Sequence, residues 1–134
     1  MPQSDTVNSE EIKGEPIVKV YRKNTGERYT PFNHFDMTTQ VIFNPDGGCP
    51  KVNCTLSTFK KGARSDDEIH ETSDQIFYMI QGTVKVYAHN RLIETLNAGD
   101  ALLVHAGDTH AVRNEDDQEA VFFVVTVPPL DKTH

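Results

Sequence analysis

Two short segments carry the side chains whose types and spacing could do chemistry. In the first, Glu68 and His70 are separated by one residue, and on an extended chain that spacing puts a carboxylate and an imidazole on the same face. Gln75 follows five residues on and opens the next strand-like run, in which Phe77 and Met79 share its face. The second segment, residues 99–114, holds Gly107 and His110, then Val112 and Asn114. If these faces turn inward in a barrel, two imidazoles, a carboxylate and an amide converge. Divalent first-row cations accept such a mixed N/O donor set.

The elements that would have to position them are strands. Residues 17–21, 39–43, 52–59, 75–81, 83–88, 92–96, 101–104, 110–114 and 120–127 are short runs rich in β-branched or aromatic residues, bounded by Gly, Pro, Asn or Asp. No stretch keeps a 3.6-residue apolar period between capping signals, so helix is a minor element. Many short strands at regular spacing point to a sandwich, jelly roll or barrel. The turns agree: Asn44-Pro45-Asp46-Gly47-Gly48 is a turn cluster, Gln81-Gly82-Thr83 a tight hairpin connection, and His89-Asn90-Arg91 a polar reversal. A Gly-Asp step occurs at Gly99-Asp100 and again at Gly107-Asp108, where Asp can accept from nearby backbone amides.

The two segments resemble the paired motifs of the cupin superfamily, Gly-x5-His-x-His-x4-Glu-x6-Gly and Gly-x5-Pro-x-Gly-x2-His-x3-Asn. The first reads Gly62, Glu68, His70, Gln75 and Gly82 with every spacing kept; the second reads Gly99, His105, Gly107, His110 and Asn114, also in register. With one Gly as anchor, Gly107, His110 and Asn114 coincide by chance with a probability of roughly 10⁻⁴, so the match is specific. The resemblance implies an all-β, RmlC-like double-stranded β-helix, the jelly-roll cupin barrel, as one domain over residues 15–128, with tails at 1–14 and 129–134.

It also implies one divalent metal ion (Fe, Mn, Ni, Co or Zn) held by Glu68, His70, Gln75 and His110. The family pattern has His where Glu68 stands and Glu where Gln75 stands, so one imidazole becomes a carboxylate and the carboxylate an amide. Gln75 is the weakest donor of the four. His105 occupies the motif's Pro position and is read as an outward turn residue. Two His and one Glu make a facial triad with open positions. Gln at the fourth position resembles cupins that open sugar-acid rings or act as lyases by Lewis-acid chemistry. The leading expectation is therefore a metal-dependent lyase, isomerase or ring-opening enzyme acting on a small polar, carbonyl- or hydroxyl-bearing substrate. The alternatives are a non-heme Fe(II) dioxygenase and a non-catalytic small-molecule-binding cupin. Burying Glu68 without a cation would strand a charge at a cost of several kcal/mol or force its protonation; a position at a wet mouth would spare it.

Charge and composition narrow the partners. The formal net charge is -7, with 8 Lys/Arg against 7 Asp/Glu up to Gly62 and 5 against 13 beyond it. That balance disfavours nucleic acid and anionic membranes. No apolar run approaches the ~20 residues of a membrane span, and the acidic first residues are unlike a signal peptide, so a cytoplasmic protein is expected. It would bind a small molecule and dimerise through outer strands. The spacing of Cys49 and Cys54 would allow a bridge, but free thiols are the favoured reading over a disulfide.

The remaining candidates are weaker. Arg64 could bind a substrate carboxylate or pair with Asp66 or Asp67; Phe77, Met79, Leu56 and Phe59 are pocket wall or core. Tyr78 should pack on an outer layer, Asp74 should be solvated, and Tyr29, Phe32 and His34 could cover the barrel mouth.

Overall fold

The computed structural model describes residues 18–130. In chain order it forms β1 (Arg28–Tyr29), β2 (His34–Phe43), a 3-10 turn (Pro45–Gly47), β3 (Asn53–Ser65), β4 (Asp74–Gln81), β5 (Val84–Ala88), β6 (Arg91–Leu96), β7 (Ala101–Val104), β8 (Ala111–Arg113) and β9 (Ala120–Val127). The expected tail over residues 1–14 lies outside the described residues, as do residues 131–134. Among the described residues no helix is long and apolar enough to cross a membrane.

Each run read as a strand from residue 39 onward becomes one. The run at 17–21 does not, over its described residues: Val18 and Val20 are 86% and 63% exposed and bury no face. β3 also runs further than expected, through Lys60-Lys61-Gly62 to Ser65. Its backbone is taken up on one edge by β2 and on the other by β9 and then β8, so polar side chains continue the strand facing outward. The strands pair antiparallel in the order β6-β5-β8-β3-β9-β4-β7, with β2 on β3 and β1 on β2, forming the nearly closed jelly-roll barrel of a double-stranded β-helix.

Alternation decides what faces inward. Along β4, Gln75, Phe77 and Met79 are buried while Asp74, Ile76, Tyr78 and Ile80 are exposed. Tyr78, expected against an outer layer, is half exposed instead. The core joins Phe77 and Met79 to Phe59, Val84, Val112 and Phe122. Phe122 sits between two rings, 5.2 Å from Phe59 and 5.4 Å from Phe77.

The turns do what their residues suggest. His89 and Asn90 both take positive φ in the two-residue β5–β6 connection. Asp100 Oδ2 accepts from the Asn97 amide and Asp108 Oδ2 from the His105 amide, so both Gly-Asp steps close the same local loop. At Gly82 φ is 77°, and a Cβ there would stand 2.6 Å from the Glu119 carbonyl oxygen; only glycine fits. Cys49 and Cys54 are free thiols, and burial pushes the Cys54 thiol up.

Candidate metal centre

Glu68 and His70 lie in the connection between β3 and β4, because β3 stops at Ser65, and not on a strand as their spacing suggested. Their side chains nevertheless turn to the same side. Glu68 forms a single bridge with His110: the Glu68 amide donates to the His110 carbonyl (2.8 Å) and the His110 amide to the Glu68 carbonyl (3.0 Å). One step along, the Gly107 amide donates to the His70 carbonyl (2.9 Å). The backbones of the two motifs are thus tied to each other at the ligand positions themselves.

The second motif is clamped from behind by Asn114, 1% exposed. Its Nδ2 donates to the carbonyls of Phe59 (2.9 Å) and Gln118 (2.8 Å), and its Oδ1 accepts from the Asp116 amide (3.0 Å). Asp74, read as merely solvated, has a second function: its Oδ1 accepts from the Ala106 amide (2.8 Å) and holds the loop that leads to His110.

The donors converge on one oxygen. Glu68 Oε1 lies 3.8 Å from Nε2 of His70 and 3.9 Å from Nε2 of His110, and the ligand atoms of the three residues all lie within 4.8 Å of one another. Three donors about 2.0–2.2 Å from one cation, at tetrahedral or cis-octahedral angles, stand about 2.8–3.6 Å apart, so a cation would draw this set inward by up to about an ångström. The His70 and His110 rings are 5.4 Å apart, and Phe77 packs edge-on against His110 at 6.1 Å. Nδ1 of His110 faces the Asp108 carbonyl at 3.4 Å, which leaves Nε2 as the nitrogen presented to Glu68.

Gln75 lines the same cavity. Its Nε2 donates to Thr126 Oγ1 (3.0 Å), so the amide oxygen is the end left to face inward. Phe77 forms part of the wall, with Phe59 and Phe122 beyond it. Met79 is fully buried in the core and does not line the cavity. Arg64 does not line it either: its guanidinium pairs with Asp66 Oδ1 at 2.5 Å and lies over the Phe35 ring at 4.2 Å, outside the barrel. His105 is exposed, as its turn position suggested.

One residue comes closer than the sequence suggested. His34, read at most as cover for the mouth, has Nε2 3.7 Å from Glu68 Oε1. Burial, and secondarily the Asp66 charge, push the Glu68 carboxyl up to about 8. Burial lowers both His34 and His110, against weaker opposing contributions from the carbonyls of Phe32 and Asp108. Neutral imidazoles keep the lone pairs a cation needs, and a cation would displace the Glu68 proton.

A barrel of this topology with donors at these positions is a cupin. The cupin-domain family model matches residues 55–126, more than half of the chain, and the chain belongs to that family. Among solved structures it is similar to the protein TT1209 from Thermus thermophilus, at 29% identity over 69% of this chain and 84% of that one (TM-score 0.61). It is also similar to the polyketide cyclase RemF from Streptomyces resistomycificus, at 16% identity over 88% and 87% (TM-score 0.73). A sugar phosphate isomerase from Silicibacter pomeroyi aligns at 20% identity over 83% and 76% (TM-score 0.70). No curated protein matches the chain by sequence.

Proposed function

We propose that this cupin is a divalent-metal enzyme that performs non-redox chemistry, as a lyase, isomerase or ring-opening enzyme, on a small polar substrate bearing a carbonyl or hydroxyl, such as a sugar acid. The observation that carries the reading is the cluster of Glu68, His70 and His110 donor atoms within 4.8 Å of one another, beside a cavity that Glu68 and His110 line. Bound there, a cation supplies Lewis acidity to a substrate oxygen. The chain does the rest. Phe77 and Phe122 form apolar wall, while Ser57, Thr39 and Thr126 offer hydroxyls to orient a polyhydroxylated ligand. The interior space is about 70 Å³ and opens to solvent on one side, so the reacting end of such a ligand fits inside while the rest lies toward the mouth. A polyketide cyclase and a sugar phosphate isomerase among the structural neighbours support non-redox chemistry on this scaffold.

Metal analysis of the purified protein beside the His70→Ala/His110→Ala variant tests the site. The expected result is metal in the first and none in the second; equal content in both would refute it. Turnover of a panel of sugar acids and sugar phosphates then tests the reaction class.

The facial arrangement of two His and one Glu favours one second reading, a non-heme Fe(II) dioxygenase. Turnover that is unchanged without oxygen would sink it. We further propose a cytoplasmic homodimer formed through the outer face of β4 and β7, where Ile76, Tyr78, Ile80 and Leu103 are exposed. Sedimentation at micromolar concentration should give twice the chain mass; the monomer mass would overturn it.

A further inference from the structure

The metal set described so far comes entirely from the two motifs. His34 lies outside both, and outside the stretch that the cupin-domain family model matches. It stands at the start of β2, paired with Ser65 at the end of β3. Simple alternation would turn it away from the site. Met37 and Thr39 of β2 are buried, so Phe35 should point inward and His34 outward.

A local irregularity reverses this. The β2–β3 register shifts between Phe35 and Met37, and Asp36 between them takes φ 60°, in the left-handed region that Asp tolerates better than most residues. Phe35 is consequently 42% exposed, under the Arg64 guanidinium. The His34 side chain is 11% exposed and reaches Glu68. The turn before it contributes too. Asn33 also has φ 60°, and its carbonyl accepts from the Asp66 amide (2.9 Å), which ties the turn to the end of β3.

The ring is also oriented. His34 Nδ1 lies 2.9 Å from the Phe32 carbonyl, so Nδ1 carries the proton and donates it, and the Nε2 lone pair faces Glu68. Metal-binding histidines are held in the same way, with one ring nitrogen fixed by a carbonyl and the other left for the cation. Glu68 Oε1 then lies 3.7, 3.8 and 3.9 Å from Nε2 of His34, His70 and His110; His34 stands outside the group of three whose donor atoms all lie within 4.8 Å of one another, so its ring has to swing inward about Glu68 to share a cation with them.

We propose that His34 is the fourth protein ligand of the metal, through Nε2, supplying from β2 the imidazole that the first motif lost when Glu68 took a histidine's place. The donor set becomes His34, Glu68, His70 and His110. Gln75, a neutral amide and the weakest donor of the motif set, is left as part of the cavity lining. This inference rests on the metal-centre reading above. A four-donor set still leaves room for a substrate oxygen on a six-coordinate cation.

The test uses the intact wild-type protein, labelled with nitrogen-15 and titrated with Zn²⁺ while the histidine ring nitrogens are followed by NMR. His34→Gln assigns the His34 signals by their disappearance. The expected result is that Nε2 of His34, His70 and His110 all move to the metal-bound range at one equivalent of Zn²⁺. The His34→Gln variant should also bind Zn²⁺ at least about tenfold more weakly, since even loss of a ligand's supporting partner costs roughly 10–100-fold. If His70 and His110 move and His34 does not, the fourth-ligand proposal is overturned and the metal centre stands. If none of the three moves, both fall.

Discussion

Glu68 and His110 exchange both of their backbone hydrogen bonds, at 2.8 and 3.0 Å, although 42 positions separate them in the chain. A carboxylate and an imidazole on directly bridged residues have their starting points fixed by the backbone. The donor atoms are therefore preorganised, and little ordering entropy remains to oppose a cation.

The first consequence is a metal-dependent melting temperature. A ligand that binds only the folded state stabilises by about 2.7 kcal/mol when present at 100 times its dissociation constant. Thermal unfolding with Co²⁺ or Mn²⁺ should shift upward with cation concentration and return with a chelator. In His110→Ala the shift should vanish. A shift of the same size in that variant would place the cation elsewhere.

A second consequence concerns pH in the metal-free protein. The folded Glu68 carboxyl titrates at about 8 instead of 4.5, so its proton is held more tightly folded than unfolded, and stability falls as pH rises between those values. His34 and His110 are lowered from 6.5, so their contribution is lost as pH falls below that value. Below 6.5 the effects of these three groups oppose each other; from 6.5 to about 8 Glu68 is the one of the three whose shift acts. Urea titrations across that window should show stability falling by about 2 kcal/mol. Glu68→Gln should flatten the slope, and a slope unchanged in that variant would assign it to another group.

How far the sequence shows this depends on what each feature rests on. The strands from residue 39 onward and the inward set Gln75, Phe77 and Met79 follow from period-two alternation and turn chemistry. Glu68, His70 and His110 follow from motif spacing, which survives even though the first two sit outside any strand. His34 was not legible at the site because a register shift reverses the parity of β2 between Met37 and His34, and nothing in the residues Phe35 and Asp36 announces it. The length of β3 was hidden for a related reason. Lys60-Lys61-Gly62 looks like a loop until the pairing on both edges is known.

Asn114 should matter to the fold more than to the cation. Replacing it by Ala leaves the buried Phe59 carbonyl, the part-buried Gln118 carbonyl and the Asp116 amide without their partner, which costs about 1–3 kcal/mol. The urea midpoint of Asn114→Ala should drop accordingly. A drop below half a kcal/mol would mean that water replaces the amide.

Phe77 separates stability from metal binding. Its ring is 5% exposed, stacks on Phe122 at 5.4 Å and meets His110 edge-on at 6.1 Å, yet offers no donor. Phe77→Ala removes a buried aromatic from the core and should cost about 3–5 kcal/mol. The backbone bridge between Glu68 and His110 and the His70 to Gly107 bond do not pass through it. Metal content per folded chain should therefore remain that of the wild type while the urea midpoint falls and the cavity grows. The milder Phe77→Leu should lose less stability at the same metal content. If metal content fell in step with stability across the two variants, the His110 ring would depend on the Phe77 contact for its orientation, and the backbone would not be what presets the donors.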